Sequence, residues 1–167
     1  MIYFKYKNNT DIEIPLKEWM DQIKEDLKKI DDDKYPITLF IENASFDEEK
    51  NHYLYSNFSP SKNKIVIHIL PGTDLDEIKW SFMHEFRHFM QLNIPSLYEA
   101  TFKNNDKTQL KKIVDQIKEL NNEDFYDLIH DSLPYENDAI VYATMQVGKN
   151  YRKHPLNIKI KQYIEED

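Results

Sequence analysis

The 167-residue chain has no cysteine, and only 2 glycines, Gly72 and Gly148. Without cysteine there are no disulfides, no thiolate zinc sites, no iron–sulfur clusters and no thiol nucleophile. With two isolated glycines, neither GxGxxG nor GxxxxGK[ST] can be written, so the glycine-rich phosphate loops are excluded. Long apolar runs are missing too. Nothing approaches the ~18 residues of a membrane span, and the alternating stretch from Met1 to Glu18 has no apolar core of a secretory leader. A cytoplasmic protein without a membrane partner is expected. Basic residues are in deficit, with 22 Lys+Arg against 30 Asp+Glu and a net charge of -8. That balance opposes the basic stripe of a general nucleic-acid binder, so no nucleic-acid partner is expected.

Bulk for a core is plentiful. Hydrophobic residues make up 40% of the chain and aromatics 13%, with 11 Tyr and 9 Phe. Length and composition predict one ordered domain over residues 1–167. Ile2–Tyr6 alternates like a short strand. Pro15 opens a helix that carries Leu16, Trp19, Met20, Ile23, Leu27 and Ile30 at helical spacing. The acidic run at 31–33 reads as a solvated turn. Strands are expected at Pro36–Ile41, within Asn51–Phe58, and most clearly at Lys64–Leu70, which is β-branched and bounded by turns. Thr73 or Asp74 is placed to cap a helix from Leu75 to Leu92 that stops before Pro95. Further helices are expected at Lys107–Leu120, Glu123–His130 and Pro134–Gly148, and a last short element at Ile158–Ile164. Strands ahead of helices predict an α+β fold, with a small, mostly antiparallel or mixed sheet of three to four strands packed on helices.

The helix after the clearest strand contains His84-Glu85-Phe86-Arg87-His88, which is HExxH. Residues four apart on an α-helix lie about 40° apart and one turn along, so both imidazoles face one point and can share a zinc ion. Glu85 stands beside them, within reach of a metal-bound water as a general base. In a chain of this composition chance supplies about 0.02 such matches. A strand next to the helix is also useful to a peptidase, because an exposed sheet edge pairs with an extended substrate.

Two His leave a catalytic zinc short of a third protein ligand. Gln91, Leu92, Asn93 and Ile94 follow the motif, so there is no HExxHxxGxxH. The best candidate is Glu136 in the first turn of the Pro134 helix. It shares a stripe with Ala139, Ile140, Ala143 and Val147, and the alanines permit close approach of the two helices. Asp138, about 160° around that helix, is the alternative ligand or an outer partner of a metal-bound His. Trp80, Phe82, Met83, Phe86, Phe89 and Met90 read as core, Arg87 as the partner of a nearby acid, and His68 as an ordinary strand residue. His130, Tyr135 and Tyr142 flank the Glu136 helix. His130 is the preferred donor to the oxyanion, with Tyr135 next.

With these residues the chain resembles the zincin superfamily of HExxH zinc metallopeptidases, and within it the gluzincin branch. The order of strand, HExxH helix and ExxA helix is also similar to the minimal cores of ImmA/IrrE-like peptidases. The resemblance covers Lys64 to about Gly148. It implies a zincin-like fold with HExxH on a central helix, and zinc held by His84, His88 and Glu136. It implies Glu85 as the base, and a protein or peptide as substrate. Ala139 matches the small residue three after the ligand Glu. Ile140 stands where the family carries Asp or Asn, and Asp138 is the residue available to compensate. The other function compatible with the sequence is a catalytically silent scaffold that binds a regulator through its acidic surface. The intact Glu85 favours the enzyme, since a structural zinc site has no use for a carboxylate there.

Overall fold

A computed structural model describes residues 4–34, 36–49, 52–103 and 133–152. The predicted elements at Lys107–Leu120, Glu123–His130 and Ile158–Ile164 lie outside the described residues. The chain is mixed α and β. Strand β1 (Phe4–Asn8) is followed by helices α1 (Leu16–Gln22) and α2 (Lys24–Leu27), then β2 (Ile37–Asn43). A small two-stranded hairpin, β3 (Phe46–Asp47) and β4 (His52–Tyr53), precedes β5 (Asn57–Ser59) and β6 (Lys64–Ile69). Helices α3 (Leu75–Asn93) and α4 (Pro95–Tyr98) follow, and α5 is Pro134–Val147.

The main sheet has the order β1-β2-β6-β5. The first two pairings are parallel and β5–β6 is antiparallel, so the sheet is mixed and four-stranded. Register sets one buried row. Leu39 faces Ile65 and Ile41 faces Ile67, and with Ile37 and Ile69 they form the inner face of the sheet. Alternation puts Thr38, Phe40 and Glu42 on the other face, where Lys64 Nζ sits 4.4 Å from the Phe40 ring centroid. Among the described residues the helices pack on the inner face. Phe4 meets Phe82 and Phe86 edge-on at 6.2 and 6.0 Å between ring centroids, and Phe58 meets Phe89 at 6.0 Å.

Helix α3 is bounded by its own sequence. Asp74 is extended and accepts from the Glu77 N–H at 2.8 Å, with Asp76 and Glu77 favourable in the first turn. Ile94 turns extended ahead of Pro95 and closes the helix. Helix α5 begins at Pro134 and ends at Gly148, whose φ of 87 is a left-handed cap that a side chain would strain. Two expectations are corrected. The helix from Leu16 to Ile30 is broken at Ile23 (φ -110, ψ 15), although Trp19, Ile23, Leu27 and Ile30 all stay buried. The strand within Asn51–Phe58 is two short pieces, β4 and β5, in different sheets. Among the described residues no helix is long and apolar enough to cross a membrane.

Candidate metal centre

Helix α3 lies between the sheet and α5 and serves both. Phe82, Phe86 and Phe89 point to the sheet, while Trp80, His84, Arg87, His88 and Gln91 meet α5. Ala139 and Ala143 are fully buried, and their small side chains leave room for α5 to lie close against α3. That approach brings Glu136, 7% exposed, onto the two imidazoles. Its Oε2 is 3.2 Å from His84 Nε2, its Oε1 is 3.1 Å from His88 Nε2, and the two Nε2 atoms are 3.2 Å apart. His84, His88 and Glu136 thus form one group able to hold a metal ion.

Electrostatics follow from that crowding. Burial works against protonation of both imidazoles, and for His84 it prevails over the Glu136 contact, so its pKa is lowered. At His88 burial is outweighed by the hydrogen bond and charge of Glu136, with help from Glu85 and Gln91, and the pKa rises to about 9. For Glu136 burial pushes upward, but the two imidazoles prevail and hold the carboxyl well below its usual range. One proton on His88 therefore answers the carboxylate. A divalent cation in its place meets two neutral imidazoles and one carboxylate.

A further set of contacts orients the second His. Gln91 is fully buried, and its amide nitrogen donates to the Tyr135 carbonyl at 2.7 Å and to Asp138 Oδ2 at 2.8 Å. The amide oxygen must then face His88 Nδ1, 3.0 Å away. Nδ1–H is the donor, which leaves the Nε2 lone pair for the metal position. Asp138 is in turn gripped by Arg87, from Nε at 2.8 Å and from Nη2 at 3.2 Å. The acid partner expected for Arg87 is therefore Asp138. Asp138 acts as the outer partner of His88 through Gln91 and does not join the ligand group.

Sequence reasoning passed over Gln91 as a residue that merely broke a longer motif. Its signal was the i, i+3 spacing from His88 in an otherwise apolar turn. Trp80 is buried as a core residue is, but it also stacks on the His84 ring, with centroids 5.1 Å apart and planes at 20°. A cleft of about 150 Å³ opens beside the group, lined by Leu54, Ser56, Trp80, His84, Glu85 and Arg152 among others. Glu85 is 6% exposed at its wall. His68 borders the same cleft, but register pairs it with Glu42 on the outer face of the sheet. The Tyr135 ring lies 6.1 Å from that of His88, and the Tyr142 hydroxyl donates to Asp26 at 3.0 Å. His130, the preferred oxyanion donor, lies outside the described residues. Comparison with protein-family models, curated proteins and solved structures returns no match.

Proposed function

We propose that the chain is a zinc-dependent peptidase of zincin-like architecture, with His84, His88 and Glu136 as ligands and Glu85 as general base. One observation carries the reading. The two Nε2 atoms are 3.2 Å apart, and the Glu136 carboxylate sets one oxygen against each, Oε2 at 3.2 Å from His84 and Oε1 at 3.1 Å from His88. Ligands at 2.0–2.1 Å around a tetrahedral zinc are spaced by about 3.3 Å, so two Nε2 atoms 3.2 Å apart, with a carboxylate oxygen 3.1–3.2 Å from each, suit that ion. Two His and one carboxylate are also the donor set of catalytic zinc sites that keep a fourth position open. Zinc bound there supplies Lewis acidity and lowers the pKa of water to about 7.

The chain's own residues supply the rest. Glu85 accepts the proton of the attacking water and passes it to the departing amine. Glu85 lines the same cleft as His84, which supports that role. Among the described residues β5 is one of the two sheet edges, and Leu54 and Ser56, just before it, line the cleft. An extended peptide laid along that edge meets main-chain hydrogen-bonding groups and is steered toward Glu85.

Metal analysis of purified protein and a fluorogenic peptide mixture test the proposal together. Wild type should carry one zinc and cleave. Glu85→Gln should keep its zinc and lose about 10²–10⁴-fold in rate. Cleavage by Glu85→Gln at the wild-type rate would reject Glu85 as base, and a wild-type protein that takes up no metal would reject the proposal entirely.

A further inference from the structure

The two imidazoles are held by different means. His88 has its Nδ1 fixed by Gln91. His84 Nδ1 is buried and has no hydrogen-bond partner among the described residues. A liganding imidazole ordinarily donates its second N–H to an acceptor, which sets ring orientation. Among the described residues that device is missing at His84, and an aromatic face stands in for it. Trp80 lies four residues earlier on α3, one turn below, and stacks on the His84 ring at 5.1 Å and 20°. Trp80 is itself restrained. It is 3% exposed, and its indole N–H donates to Thr144 Oγ1 of α5 at 3.2 Å.

We infer that Trp80 is the positioning residue for His84, holding the ring against α5 by stacking, and that it is thereby an optical reporter of the metal site. This rests on the metal-binding reading above. Both imidazoles are then referred to the helix that bears Glu136, His88 through Gln91 to Tyr135 and Asp138, and His84 through Trp80 to Thr144. An offset aromatic stack restricts tilt while permitting slide. The Thr144 hydrogen bond limits the slide, because it ties the indole nitrogen to α5.

The test measures metal binding and needs no substrate. Zinc affinity is read by competition with a chromophoric chelator in wild type, Trp80→Phe, Trp80→Leu and Thr144→Val, with thermal unfolding of each. Trp80→Phe keeps a ring against His84 and should stay within about threefold of wild type. Trp80→Leu fills the space without a π face and should weaken zinc binding by about tenfold or more. Thr144→Val should weaken it by about two- to fivefold while folding normally, which keeps the inference open to test if Trp80→Leu does not fold. Separately, Co²⁺ should quench the tryptophan emission of wild type far more than that of Trp80→Phe, in which Trp19 is the sole emitter. Equal zinc affinity in wild type, Trp80→Leu and Thr144→Val would overturn the inference and leave the metal site standing. So would wild-type emission unmoved by bound Co²⁺. A wild type that binds neither ion would remove the metal site, and this inference with it.

Discussion

Glu136 and Asp138 stand two residues apart on one helix and meet different partners. Glu136 is buried against two imidazole nitrogens, whereas Asp138 is half-buried between Arg87 and Gln91. Their substitutions should separate accordingly. Glu136→Ala removes one of three donors and should lose zinc on dialysis. Asp138→Asn should keep zinc but bind it about 10–100-fold less tightly, because Gln91 loses its ionised acceptor and Arg87 its counter-charge. Chelator competition reads both. Equal loss in the two variants would put Asp138 among the ligands. Gln91→Leu should behave like Asp138→Asn, since the His88 Nδ1–H is then buried without an acceptor.

Helix α3 shows how one amphipathic element can serve a core and a site at once. Its sheet-facing side is made of large aromatics with no exposure, Phe82, Phe86 and Phe89, and Phe82 stacks on Phe86 at 5.7 Å. Phe86→Ala should therefore cost about 3–5 kcal/mol in urea unfolding, while Leu92→Ala, at a position 37% exposed, should cost far less. A small loss for Phe86→Ala would mean the core closes over the cavity. The same helix was legible in the sequence because every signal agreed. Asp74 capped it, Pro95 ended it, and HExxH fixed its inner phase. β6 was legible for a similar reason, as an isoleucine-rich run between turns. What sequence could not reveal was non-local. The break at Ile23 has no glycine or proline to announce it, and the buried spacing continues across it. The pairing of β1 with β2 in parallel depends on tertiary packing of the intervening helices. Gln91 acquires its role only when α5 arrives to accept its two hydrogen bonds.

For the molecule as a whole, the ligand group ties together parts of the chain far apart in sequence. His84 and His88 belong to α3, Glu136 belongs to α5, and no unfolded chain presents the three at 3.1–3.2 Å. A metal that binds the folded state alone stabilises it by RT ln(1 + [L]/Kd), about 2.7 kcal/mol when free metal is 100 times Kd. For a domain of this length each kcal/mol moves the midpoint by about 2–4 °C, so saturating zinc should raise Tm by about 5–10 °C. Removing the metal with a chelator should return Tm to its starting value without unfolding the protein, because the aromatic and isoleucine core does not include the ligands. The variants divide on the same measurement. Glu85→Gln should show the full shift, since Glu85 holds no metal in this assignment, and Glu136→Ala should show almost none. Differential scanning fluorimetry with and without zinc decides it. A wild-type Tm indifferent to zinc would mean that α3 and α5 are not bridged by metal. A full shift in Glu136→Ala would mean that zinc stabilises the fold from some other site.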